Sequence, residues 1–149
     1  MVRASRAFEV SRVNGAPWIY SDGGRAAAGF RGNAGDCVTR AIAIASGIPY
    51  EEVYSALSEE SVTSPRRGIA RAIFHPYILA LGFTWTATMA IGSGCTIHVR
   101  ASELPDGALI VRLSRHLAAV INGTVYDTYD PARDGTRCVY GYYRREVES

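Results

Sequence analysis

The apolar positions of this chain change their period once along its length. Between residues 36 and 81 they recur at helical spacing, and from residue 108 onward they run as strands. Val38, Ala41, Ile42 and Ala45 follow i, i+3, i+4, i+7, which predicts a buried helix from about Asp36 to Ser46, closed by Gly47. Pro49-Tyr50-Glu51-Glu52 opens a second helix with carboxylates in its first turn, ending near Ser61, with Val53, Leu57 and Tyr54 inward. Ile69 to Leu81 predicts a third, with Ala70, Ile73, Tyr77 and Leu81 on one side. Pro76 interrupts it, so a kink or a new start is expected near His75.

Residues 7–13 alternate as a half-buried strand does, Asn14 to Pro17 makes a turn, and Trp18-Ile19-Tyr20 reads as a short returning strand. Residues 21–33 carry no period and read as a loop. Phe83 to Thr88 alternates as a strand, and Thr96 to Leu104 reads as a short helix or loop. Four further strand signals follow: Ala108 to Leu113, His116 to Ile121, Thr124 to Tyr129 and Arg137 to Arg144. Asn122-Gly123 between the second and third is a strong hairpin turn. Helices first and an antiparallel sheet afterwards predict an α+β fold, and 149 residues fit a single domain spanning 1–149.

Composition narrows the class. A net charge of +2, with no basic run longer than two, gives no electrostatic case for nucleic acid. No apolar run is long enough to cross a bilayer, and residues 1–14 lack the apolar core of a signal peptide, so the expected location is cytoplasmic. All 16 basic residues are arginine, which removes lysine as a base or Schiff-base former. Three widely spaced cysteines (Cys37, Cys95, Cys138), with no Cys-x-x-Cys pair, argue against a disulfide framework or a cysteine-rich zinc site and for free thiols. A zinc site from Cys37, His116 and Cys138 has no local ligand pair behind it.

The chemistry concentrates where the first helix begins. In Gly32-Asn33-Ala34-Gly35-Asp36-Cys37 a Gly/Asn loop meets Asp36 as N-cap, and the first helical residue is a cysteine. Unpaired N–H groups and the positive dipole end favour the thiolate there. The hairpin supplies a base. With a two-residue type I′ turn at Asn122-Gly123, Ile121 pairs with Thr124, Ala118 with Asp127 and His116 with Tyr129. His116 and Asp127 become diagonal neighbours, roughly 7–8 Å apart at the backbone. Asp130 falls on the opposite face unless the strand bends at Pro131, so the spacing favours Asp127 over Asp130. Cys37, His116 and Asp127 therefore suit nucleophilic acyl transfer, the cysteine attacking, the histidine moving protons and the carboxylate orienting the ring. His75 reads as packing, Cys95 and Cys138 as structural, the tyrosines at 140, 142 and 143 as strand packing, and Arg66-Arg67 as a solvated loop.

On these residues the chain resembles the papain-like cysteine peptidases: Cys37 at a helix start after a Gly/Asn loop, then His116-Leu117-Ala118-Ala119-Val120, then Asp127-Thr128-Tyr129 in place of an Asn-Ser-Trp run. It is also similar to small phage and bacterial proteins with Asp-Cys-Val-x-Arg-Ala and Gly-His…Tyr-Asp-Thr-Trp-Asp patterns, with Arg115 here for the glycine and Tyr129 for the tryptophan. The resemblance covers residues 33–45 and 108–131. It implies a papain-like fold and a cysteine-dependent hydrolase acting on a peptide, protein or other amide or acyl substrate, with no metal or organic cofactor. Papain-like enzymes use a glutamine before the cysteine as oxyanion donor. This chain has no glutamine, and Asn33 is the nearest substitute, beside the N–H of Cys37. The same triad serves transglutaminase-like acyl transfer, and a catalytically silent interaction module is the alternative from another class.

Overall fold

Strands buried on both faces organise the molecule, and the sequence shows it as runs of apolar residues rather than strict alternation. The structure, a computed structural model, describes residues 15–30, 35–60, 68–89 and 92–145. Its elements in chain order are β1 (Trp18–Tyr20), α1 (Cys37–Ser46), α2 (Tyr50–Glu60), α3 (Arg71–Ala80), β2 (Thr84–Ala87), β3 (Ala108–Leu113), β4 (His116–Ile121), β5 (Thr124–Asp127) and β6 (Gly141–Arg145). The strands form one sheet in the order β1-β5-β4-β3-β6-β2. The fold is α+β, and among the described residues no helix is long and apolar enough to cross a membrane.

One face of the sheet carries the helices. Val38, Ala41, Ile42 and Ala45 of α1 pack with Ala108, Ile110, Leu117, Ala119 and Tyr143, and Val53, Leu57, Phe74 and Ile78 from α2 and α3 extend the same core. Fully burying residues such as Ile42, Val53 or Ile110 contributes about 1.5–3 kcal/mol each. On the other face Leu109, Val111, Leu113, Ala118, Val120 and Val125 lie under Val99, Leu104, Ala132 and Val139, which come from irregular segments. Those segments explain why β3 and β4, Arg112 and His116 apart, are apolar on both faces although helices cover only one side.

The hairpin forms as its turn residues require. Asn122 and Gly123 both have positive φ (48° and 85°), and Ile121 pairs with Thr124, Val120 with Val125 and Ala119 with Tyr126. The Asn122 side chain also accepts from the Gly107 N–H at 2.8 Å, tying the hairpin tip to the turn that opens β3.

Several expectations need correction. The sheet is mixed, because β1 runs parallel to β5, with Trp18 opposite Val125 and Tyr20 opposite Asp127. A three-residue strand takes its partner from tertiary contacts that no local pattern encodes. The strand expected at 7–13 lies outside the described residues. Helix α3 runs through Pro76 as one element with no new start at His75. Pro76 and Ala72, whose carbonyl loses its helical donor, are both exposed, so water can replace that bond. Its buried residues are Phe74 and Ile78, while Ile73, Tyr77 and Leu81 are only partly buried and Ala70 is exposed. Of the two alternatives for residues 96–104, the structure has the loop, with turns and an isolated bridge at His98. Cys95 and Cys138, expected as free thiols, are joined as a disulfide with Cα atoms 5.8 Å apart. A β-bridge between His98 and Cys138 brings them together, and no local pattern reveals a disulfide between cysteines 43 residues apart.

Candidate active site

The three residues of the expected triad come from three separate elements that meet where α1 crosses β4. Cys37 is the first residue of α1, half-buried, and the free cysteine among the described residues. His116 is the first residue of β4. It emerges from a two-residue turn, Ser114-Arg115, in which Arg115 takes φ 58° and Leu113 pairs with His116. Asp127 is the last residue of β5. Its Oδ2 lies 2.6 Å from Nε2 of His116. That bond commits Nε2, so the remaining nitrogen, Nδ1, is the one left to serve the Cys37 thiol, which lines the same cavity as His116.

Electrostatics favour charge separation between thiol and imidazole. Burial alone pushes the Cys37 thiol up. The hydrogen bond and charge of His116, the backbone N–H of Leu117 and the nearby Arg40 outweigh burial and hold the thiol below its ordinary value. For His116 burial pulls down, but the Asp127 carboxylate and the Cys37 sulfur raise the imidazole to about 9. Both shifts favour the thiolate–imidazolium form, the one in which a cysteine nucleophile is ready to attack.

Asp127 is held in turn. Its Oδ1 accepts from the Thr128 N–H at 2.7 Å and from Arg40 Nη2 at 3.3 Å. Its backbone carbonyl accepts from the Trp18 indole at 3.1 Å and the Ser21 N–H at 2.9 Å, which is what the parallel strand β1 contributes to the site. Asp130 turns away and caps its own loop, accepting from the Ala132 N–H at 3.0 Å, so Asp127 is the orienting carboxylate.

The charged network behind the triad was not read from the sequence. Asp36, expected as the N-cap of α1, makes no side-chain cap. Its buried carboxylate instead takes Arg40 Nη1 and the Tyr50 hydroxyl, with Arg25 Nε 3.3 Å away. A buried carboxylate needs full compensation, and two guanidiniums and a phenol supply more than helix N–H groups could. Burial and the Asp36 charge together push the Tyr50 hydroxyl well above its ordinary value, so it stays a donor. The i, i+4 spacing of Asp36 and Arg40 was the available signal, but it reads equally as a surface pair.

The thiol and imidazole open into a cavity of about 780 Å³, lined also by Phe74, Tyr129 and Tyr140. Arg40, Arg71, Arg112 and Arg115 line it as well, and no aspartate or glutamate does among the described residues. Arg112 lies over the Tyr140 ring at 5.7 Å and Arg71 over Trp85 at 5.9 Å. Tyr129, expected opposite His116, has its ring 5.2 Å from the imidazole.

Asn33, the expected oxyanion donor, and Arg66-Arg67 lie outside the described residues. The N–H of Cys37 sits in the first turn of α1, where no helical carbonyl precedes it. His75 packs: its Nδ1 is 2.7 Å from the Tyr143 hydroxyl and its ring meets Trp85. Of the tyrosines expected to pack in the last strand, Tyr143 is fully buried, whereas Tyr140 faces the cavity. Cys138 lies with Cys95 and His98 and not with Cys37 and His116. No family model, curated protein or solved structure matches the chain.

Proposed function

We propose that this chain is a cysteine-dependent hydrolase of the papain-like kind, acting on an amide or related acyl bond. The observation that carries this reading is the His116–Asp127 bond at 2.6 Å beside a thiol held below its ordinary value at a helix N-terminus, the three opening into one cavity. In this reading the Cys37 thiolate attacks the acyl carbon to give a tetrahedral oxyanion, with the Cys37 N–H as one donor to it. His116 passes its proton to the leaving group as the acyl–leaving-group bond breaks, leaving a thioester on Cys37. Neutral His116 then takes a proton from water, whose oxygen displaces the sulfur, and the thiolate and imidazolium are restored. Asp127 steadies the imidazolium throughout.

Arg71, Arg112 and Arg115 favour an acyl substrate that carries a carboxylate or phosphate near the scissile bond, Arg40 being already paired with Asp36 and Asp127. Such a group gains most from guanidiniums where no carboxylate competes, and among the described residues none lines the cavity. The test is covalent trapping: intact-mass measurement after incubation with acyl esters and amides bearing neutral or anionic side groups. A single acyl adduct on Cys37 that turns over in water, and that is absent from Cys37→Ala, supports the hydrolase. Turnover only when an amine is added points to acyl transfer, and no adduct with any probe points to a silent binding module.

A further inference from the structure

Away from the cleft, the loop after β2 and the segment leading into β6 are stitched together by Cys95, His98 and Cys138. His98 and Cys138 form an antiparallel bridge, flanked by Val99 N–H to Arg137 O at 3.1 Å and Val139 N–H to Ile97 O at 2.8 Å. The two sulfurs and a ring nitrogen of His98 lie within 4.8 Å of one another. Nothing in the acyl-transfer reading uses them.

We propose that Cys95, His98 and Cys138, in their reduced form, bind a zinc ion, with Glu103 holding the histidine in register. The geometry of His98 carries the inference. Its Nδ1 lies 3.1 Å from Glu103 Oε1, and the same oxygen accepts from the His98 backbone N–H at 2.8 Å. A carboxylate on Nδ1 places the proton there and leaves the Nε2 lone pair outward, the arrangement that zinc-bound histidines adopt. That lone pair faces Cys95 Sγ at 3.4 Å. In the disulfide the sulfur has no hydrogen to donate, so two electron-rich atoms face each other, and a divalent cation supplies what each lacks.

Distances agree. Zinc with bonds of about 2.3 Å to sulfur and 2.0–2.1 Å to nitrogen sets its tetrahedral ligand atoms about 3.5–3.8 Å apart. The sulfur–nitrogen spacing is already close to that value. Cα atoms 5.8 Å apart let the two sulfurs separate by rotation of their side chains. The exchange balances: a small dithiol gives two electrons and two protons to the Cys95–Cys138 bond, forming two thiols and a cyclic disulfide of its own. Zinc then displaces the two thiol protons. Three protein ligands leave the fourth position to water. The ion would anchor the stretch that carries Tyr140, two residues beyond Cys138, into the cavity wall.

The experiment uses the full chain with Cys37→Ala, so that the thiol of the cleft takes no part. Reduced, metal-free protein is titrated with Co²⁺ and then Zn²⁺, with circular dichroism confirming the fold. The expected result is one Co²⁺ per chain with a thiolate-to-cobalt charge-transfer band, displaced by one equivalent of Zn²⁺. His98→Ala removes that site, and Glu103→Gln weakens it about 10–100-fold. Reduced, folded protein that takes up no Co²⁺ would overturn the proposal. So would a cobalt spectrum unchanged in His98→Ala or, should that variant not fold, an affinity unchanged in Glu103→Gln.

Discussion

Arg40 Nη2 reaches Asp127 Oδ1 at 3.3 Å across 87 residues, while the same guanidinium grips Asp36 one turn back on its own helix. One side chain thus ties the loop that launches the nucleophile to the carboxylate that orients the base. All three are buried. Burial pulls the Arg40 guanidinium down, but Asp36 and Asp127 more than compensate and keep it charged.

Removing Arg40 therefore takes from Asp36 and Asp127 the buried cation they share, leaving Arg25 and Tyr50 on the one and His116 on the other. Arg40→Ala is expected to cost about 3–5 kcal/mol of stability, because breaking a buried pair from one side strands the other charge. Urea unfolding followed by circular dichroism measures it. A loss below about 1 kcal/mol would mean that water reaches this network.

Asp127→Asn keeps the side-chain shape but removes the charge that raises His116. The alkaline limb of activity, set at about 9 by His116, is expected to move to lower pH, and the maximal rate to fall by at least about 100-fold. The sign follows from the imidazolium as proton donor. Activity is lost as pH rises through the His116 value and as pH falls through the lowered Cys37 value, which gives a bell. A pH–rate profile of kcat/KM for the two proteins decides it.

Arg112 lines the cavity without belonging to the triad or the buried network. Arg112→Gln is expected to raise KM for a carboxylate-bearing substrate about tenfold and to leave a neutral analogue within a factor of two, the discrimination of one lost charge-assisted bond. Steady-state kinetics on the substrate pair measure it, and equal effects on both would remove the electrostatic account of the cleft.

Local rules made some of this legible from the residues alone. Asn122-Gly123 sets the hairpin register, and that register brings His116 within reach of Asp127. The i, i+3, i+4, i+7 stripe starting at Val38 sets which side of α1 is buried. Other contacts depend on chain segments that meet only after folding. Trp18 on β1 reaches Asp127 from 109 residues away, and Cys95 meets Cys138 through a bridge no spacing rule announces. The fate of Asp36 shows the limit most clearly. Capping and ion pairing are both open to an aspartate before a helix, and burial beside Arg25, Arg40 and Tyr50 decided between them.

Helix start, imidazole and carboxylate together favour the Cys37 thiolate at a pH where an ordinary cysteine is still a thiol. The rate of iodoacetamide alkylation at Cys37, followed by peptide mass mapping from pH 4 to 10, tests it most directly. Fast alkylation is expected to extend below about 8.5, the ordinary cysteine value, with the inflection returning toward that value in His116→Ala. An inflection near 8.5 in the unaltered protein, unmoved by His116→Ala, would contradict it.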